Sequence, residues 1–199
     1  MLLYDSRVSG NCYKVRLLFA MLGLDYERRE VDVIDRSDRL ELLGELNPAL
    51  RVPTLVLDDG RSMGESDAIL WYFAEGSELL PQDRFERAQV LQWMFFEQYS
   101  HEPHIAVLRF WLHVAGITPP EAELEAKRNG AYAALDALER HLSTRRFLVG
   151  ERYSIADIAL FAYTHLAKEA RLSLAEYPAV RAWLERVAAM PGHIPISAS

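Results

Sequence analysis

Three short stretches of this chain carry residue types that could grip a peptide-like ligand and activate a thiol on it. In Val52-Pro53-Thr54-Leu55 a residue of fixed φ stands just before a strand, which leaves the Val52 amide and carbonyl free to pair with a ligand's own main chain. Glu65-Ser66 opens a helix. There the Ser66 hydroxyl and the helix N-terminal amides can receive a carboxylate, and Glu65 can receive an ammonium group. Ser9, in Ser9-Gly10-Asn11-Cys12-Tyr13, falls between the first strand and the first helix. A hydroxyl at that place can donate to a thiolate, and exposed helix amides add positive potential, so both favour the ionised form of a bound thiol. A free thiol titrates near ~8.5, and comparable settings lower that by roughly one unit or more. Asn11 offers a second donor at the same turn. Cys12 is a third candidate, although a lone cysteine just inside a helix is more often a small buried hydrophobe.

Short apolar runs and helical patterns alternate over the first third of the chain. Strands are expected at residues 2–5, 26–33, 54–57 and 61–64, and helices at 13–22, 37–46 and 66–74. That order implies an α/β layer with a hairpin turn at Asp58-Asp59-Gly60. Gly76 to Pro81 breaks the pattern, and helical periodicity follows at about 84–114, 121–142, 155–170 and 178–189. The expected domains are 1–77 and 84–199, joined by a linker at 78–83. Pro103 should kink the first long helix by deleting the bond to the Tyr99 carbonyl. Trp93, Phe96, Tyr99, Phe110 and Trp111 surround that bend, so they read either as core or as the wall of an acceptor pocket at the domain interface. Tyr13 reads as a pocket edge or as packing, and His101 and His104 as pocket-facing side chains. Ser154-Ile155-Ala156-Asp157 has the form of a capping box, with Tyr153 and Ile158 as its hydrophobic staple.

Composition narrows the function classes. A net charge of −7 with no basic run argues against a nucleic-acid or anionic-membrane surface. The single cysteine excludes an intrachain disulfide and a Cys-x-x-Cys pair, so a reducing, cytoplasmic setting is expected. Met1 to Tyr4 is too short for a signal peptide, and no apolar run approaches the roughly 20 residues of a membrane span. Glu97, His101 and His104 on adjacent turns invite a metal reading, but no second ligand cluster accompanies them, and none is expected. A serine-hydrolase reading lacks its Gly-x-Ser-x-Gly elbow.

Val52-Pro53, Glu65-Ser66, Ser9 and Ser154-Ile155-Ala156-Asp157, in this order and spacing, resemble the cytosolic glutathione transferase superfamily, its bacterial serine-type members in particular. The resemblance spans most of the chain. It implies a thioredoxin-like N-terminal domain followed by an all-helical bundle domain, a cis Val52-Pro53 bond, and a homodimer to which Trp71 and Tyr72 could contribute. It also implies glutathione as co-substrate, no other cofactor, and a small apolar electrophile as acceptor. In that reading Ser9, with Asn11 as its rival, contacts the sulfur, and Val52 binds the cysteinyl backbone beside Pro53. Glu65 and Ser66 hold the γ-glutamyl end. Arg51 is either the partner of the glycyl carboxylate or a solvated loop charge. Tyr13, Tyr99, His104, Phe110 and Trp111 form the expected acceptor pocket. Gly10 and Asn11 depart from many serine-type members. Cysteine-type relatives form mixed disulfides with glutathione, which keeps Cys12 in view. Two other readings fit the scaffold: a glutathione-dependent oxidoreductase or isomerase, and a noncatalytic interaction module resembling the stringent starvation regulators that bind RNA polymerase.

Overall fold

Strand β1 (Leu2–Asp5) buries Leu3, Tyr4 and Asp5 and takes an inner place in the sheet of the computed structural model, which describes residues 1–198. It pairs in parallel with β2 (Glu27–Glu30) and antiparallel with β3 (Thr54–Val56), to which β4 (Ser62–Met63) adds antiparallel, giving the order β2-β1-β3-β4. The β3–β4 turn closes at Asp58-Asp59-Gly60, where Gly60 takes φ 85° and donates its amide to Leu57 at 3.0 Å. Helix α1 (Gly10–Leu22) is buried without interruption from Cys12 to Phe19, and α3 (Ser66–Ala74) buries Ser66, Ile69, Leu70 and Ala74. This is a thioredoxin-like layer.

Two elements are shorter than their patterns predict. β2 is a four-residue charged strand, Glu27-Arg28-Arg29-Glu30, and those charges suit an edge that must not pair further. The helix expected at 37–46 shrinks to α2 (Arg39–Leu43). Asp32 and Asp35 take up local amides instead, accepting from Ile34 at 2.7 Å and Ser37 at 2.9 Å, and such turns compete with helix.

The chain divides into two units: Met1–Glu75 together with the segment from Pro191 onward, and Gly76–Met190. The helical pattern assigns that last segment to the second domain, yet it packs on the first. The Tyr13 hydroxyl donates to the Ile194 carbonyl at 2.7 Å, and Arg16 Nη2 donates to the Ile196 carbonyl at 3.0 Å.

The second unit is helical. Its first rod runs as α4 (Arg84–Phe96), a π turn at Glu97–His101, α5 (Glu102–Arg109) and a second π turn at Phe110–Val114. Pro103, expected as a kink inside one helix, stands instead in the opening turn of α5, and the preceding turn widens to accommodate its missing amide. α6 (Glu121–Leu142), α7 (Ile155–Thr164) and α8 (Pro178–Ala188) complete the unit, α7 ending earlier than its pattern suggests. Among the described residues no helix is long and apolar enough to cross a membrane.

Asp157 is fully buried at the start of α7. Its Oδ1 accepts from the Leu148 amide at 3.0 Å and from Trp183 Nε1 at 2.9 Å, and its Oδ2 from the Ser154 amide and hydroxyl at 3.0 and 3.1 Å. Burial outweighs those donors and pushes the carboxyl up to about 6 from its ordinary value of 3.8. The native state therefore holds this proton more tightly than the unfolded chain does. The associated stabilisation is complete below the unfolded value and is lost as pH rises through about 6. The unfolding free energy read from urea denaturation should carry a downward contribution on the order of 1 kcal/mol between about pH 5 and about pH 7, one that is missing in Asp157→Asn. Parallel slopes in the two proteins would remove Asp157 as its source.

Candidate functional site

Ser9 caps α1. Its backbone is extended (φ −80°, ψ 123°), and its Oγ accepts the Cys12 amide at 3.3 Å, so the ordinary capping role is met. Capping uses a lone pair and leaves the hydroxyl proton to donate. The loop ahead of Ser9 is held from beneath by Arg16, whose Nη1 donates to the Ser6 carbonyl at 3.2 Å and whose Nη2 donates to the Arg7 carbonyl at 3.3 Å. Arg16 in turn meets both oxygens of buried Asp5 at 2.9 Å, and Arg28 Nε donates to Asp5 Oδ2 at 2.7 Å. Neither Arg16 nor Asp5 stood out in the sequence. An arginine inside an apolar run, with an aspartate at the end of the preceding strand, was the available signal.

Cys12 is fully buried, and its sulfur accepts the Ser6 amide at 3.3 Å. Burial first, and the Asp5 carboxylate second, push its thiol far above the usual thiol range. A protonated, enclosed sulfur cannot exchange with a disulfide, so Cys12 is a packing residue here. Tyr13 is also fully buried, with its hydroxyl spent on Ile194, so it is an anchor for the last segment and not a pocket edge.

The Val52–Pro53 peptide is cis. Val52 lies outside the β1–β3 ladder, which begins at Thr54, and its side chain packs beside Tyr4, Val31 and Leu43. The segment is fixed by Asn47, whose Nδ2 donates to the Arg51 carbonyl at 3.2 Å and to Thr54 Oγ1 at 2.9 Å. The Thr54 hydroxyl itself donates to the same carbonyl at 2.7 Å. Arg51 is exposed and is tied down through its carbonyl. Gly64 allows Asn47 this position, because a Cβ there would stand 2.5 Å from Asn47 Nδ2. Gly64→Ala should displace that amide and lower stability by about 1–3 kcal/mol, read from urea denaturation. An unchanged midpoint would mean that the Asn47 bonds do not hold the loop.

Glu65 is exposed and takes φ 61°, ψ 110°, a left-handed backbone at a residue with a Cβ. Such a conformation costs on the order of 1–3 kcal/mol and persists where the surroundings impose it. It turns the chain into α3, whose first residue, Ser66, is buried. The Ser66 hydroxyl donates to Asn11 Oδ1 at 3.5 Å. The start of α1 and the start of α3, chosen separately from sequence as the thiol end and the carboxylate end, are thus joined by a side-chain contact.

Two of the expected acceptor residues fall together. In the helical unit Tyr99 and His104 line a cleft of about 510 Å³ with Phe96, Pro103, Gly130 and Ala134. His104 lies against Gly130, where an added Cβ would stand 2.3 Å from its ring. Burial, and secondarily Lys127, lowers the His104 imidazole below its usual range, which keeps it neutral at pH 7. Phe110 and Trp111 are half-buried in the second π turn and do not line this cleft. Trp93 is core. His101 is buried, with Nε2 at 2.8 Å from Thr164 Oγ1. That hydroxyl donates to the Leu160 carbonyl at 2.7 Å and therefore accepts from His101.

A thioredoxin-like layer with a cis-proline loop and two linked helix starts, followed along the chain by a helical unit, defines a class that comparison with known proteins identifies. Residues 3–79 match the N-terminal domain of glutathione S-transferase and residues 91–191 its C-terminal domain. The chain belongs to the cytosolic glutathione S-transferase family. A glutathione S-transferase crystal structure from Pseudomonas fluorescens Pf-5 is 47% identical, with a TM-score of 0.93 and 98% of each chain covered. A possible glutathione S-transferase from Rhodopseudomonas palustris is 42% identical, with a TM-score of 0.95 over 100% of this chain and 90% of that one. The disulfide-bond oxidoreductase YfcG of Escherichia coli K12 is 34% identical over 91% of this chain and 87% of its own.

Proposed function

We propose that this protein is a glutathione transferase that adds the glutathione thiolate to an electrophilic, apolar acceptor. The observation that carries the reading is the Ser66–Asn11 bond, since it joins a thiol-activating helix start to a carboxylate-receiving one within a single unit. Ser9 and Asn11 donate to the sulfur. The Val52 main chain pairs with the cysteinyl backbone beside Pro53. The α3 amides, that of Ser66 among them, take the γ-glutamyl carboxylate, Glu65 its ammonium group, and Arg51 the glycyl carboxylate. The helical unit contributes the acceptor side, with Tyr99 and His104 as its first candidates. A homodimer, cytoplasmic location and a role in detoxification complete the proposal.

A second reading is a glutathione-dependent disulfide reductase, favoured by the Escherichia coli relative. Because Cys12 is enclosed, that chemistry would have to run through the sulfur of bound glutathione alone. Turnover of an aryl halide and of a small dialkyl disulfide, each with glutathione, separates the two. Conjugate formation supports the first reading, whereas glutathione oxidation without conjugation replaces it with the second.

Glu65→Gly tests the γ-glutamyl end. Relief of the left-handed backbone should leave stability unchanged or raise it by about 1 kcal/mol, while loss of the carboxylate weakens glutathione about tenfold. Calorimetric affinity equal to that of the native protein would remove Glu65 from the site.

A further inference from the structure

Lys14 is an unusual residue to find sealed inside a layer: it sits on α1 with no exposed surface, one turn before the fully buried Leu17 and Leu18. A buried cation is retained only with partners, and it has them at the start of α3. Its Nζ is 3.2 Å from Asp67 Oδ1 and donates to Ser66 Oγ at 3.4 Å. An ammonium group has donors and no acceptor, so the Ser66 oxygen facing it must accept and send its own proton elsewhere. That proton goes to Asn11 Oδ1 at 3.5 Å. With its carbonyl oxygen directed to Ser66, the Asn11 amide keeps its NH2 group on the opposite side, where it serves as a donor.

We propose that Lys14 is a positioning residue of the peptide site, which fixes the Ser66 hydroxyl as a donor and through it orients Asn11, so that the carboxylate end and the thiol end are set by one chain of side chains. The inference rests on the glutathione reading above and goes beyond it by naming a residue that touches neither the sulfur nor the acceptor. Asp67 holds the lysine in place, and the Lys14 charge adds to the positive potential of the α3 amides. Two consequences follow. The site favours a γ-glutamyl group that carries its α-carboxylate over one that lacks it. Loss of Lys14 also disturbs the thiol, through Ser66 and the Asn11 amide that Ser66 orients.

The test compares the native protein, Lys14→Met and Lys14→Arg, with glutathione and with 4-aminobutanoyl-cysteinylglycine, the same peptide without the α-carboxylate. Affinity is read by calorimetry, the bound thiol by ultraviolet titration of the thiolate, and folding by circular dichroism. In Lys14→Met glutathione should bind about tenfold more weakly, the preference over the decarboxylated peptide should shrink by a similar factor, and the bound thiol should titrate about half a unit higher. Lys14→Arg should recover part of each. A folded Lys14→Met with native affinity, preference and thiol titration overturns the proposal, since a purely structural lysine would alter the melting temperature alone. Should Lys14→Met fail to fold, Ser66→Ala breaks the same chain one link later, and an unchanged bound-thiol titration there overturns it equally. A native protein that binds neither peptide overturns the glutathione reading itself, and this inference falls with it.

Discussion

Replacing Ser9 with glycine should raise the pKa of bound glutathione by about one unit or more and lower kcat/KM near pH 6.5 by roughly 10- to 100-fold, with stability changed by only a few tenths of a kcal/mol. Glycine is the informative substitution because Ser9 does two things. Its Oγ caps α1 by accepting the Cys12 amide, and its proton is the donor assigned to the sulfur. Alanine would remove both and cost about 1 kcal/mol of helix stability, whereas glycine at an N-cap is nearly neutral. A hydrogen bond to a charged group contributes about 1.5–3 kcal/mol, which sets the size of the kinetic loss. The deficit should narrow as pH rises, because an unassisted thiol ionises above ~8.5 and no longer needs the donor. Asn11→Ala supplies the comparison. If the thiol titration moves in Asn11→Ala and stays put in Ser9→Gly, the sulfur contact belongs to Asn11.

Asp157→Ala should destabilise the helical unit by about 3–5 kcal/mol. The carboxylate draws two amides, one hydroxyl and one indole N–H from three separate places in the chain, Leu148, Ser154 and Trp183, and all are buried. Alanine leaves those donors with no partner and no water, and opens a space beside Trp183. The reciprocal box with Ser154 that starts α7 is lost at the same time. Thermal or urea denaturation reads the change, and a loss below about 1 kcal/mol would mean that these donors find other acceptors. Glutathione affinity per folded molecule should be unaffected, because every residue assigned to the peptide lies in the other unit.

The sequence revealed elements whose cause is local and concealed those whose cause is a distant partner. The Asp58-Asp59-Gly60 turn and the Ser154 to Asp157 box carry their chemistry in adjacent residues, and each forms as its pattern implies, whereas the cis Val52-Pro53 bond followed from the family resemblance. Ser9, Glu65 and Ser66 could be chosen because the start of a helix fixes what a hydroxyl or a carboxylate there can do. Lys14, Asn47 and Arg16 could not. Each looks ordinary in the chain and acquires its role from a segment far away in sequence, at Asp67, at Gly64 and Thr54, or at Asp5 and Ile196. Tyr13 stayed open between pocket edge and packing for the same reason: only the return of the last segment shows where its hydroxyl goes. The aromatic set around Pro103 divides because two π turns shift the helical phase, so Tyr99 and His104 line one cleft while Phe110 and Trp111 stand elsewhere. A periodicity argument assumes a constant rotation per residue, and a widened turn breaks it.

Ultraviolet titration of glutathione bound to the native protein tests the thiol-activation claim directly. The thiolate band should grow in with a midpoint at least about one unit below the ~8.5 of a free thiol, and it should be displaced by an S-alkyl glutathione that carries no ionisable sulfur. A bound thiol that titrates at or above the free value would contradict the account, whatever rate the protein shows with an acceptor.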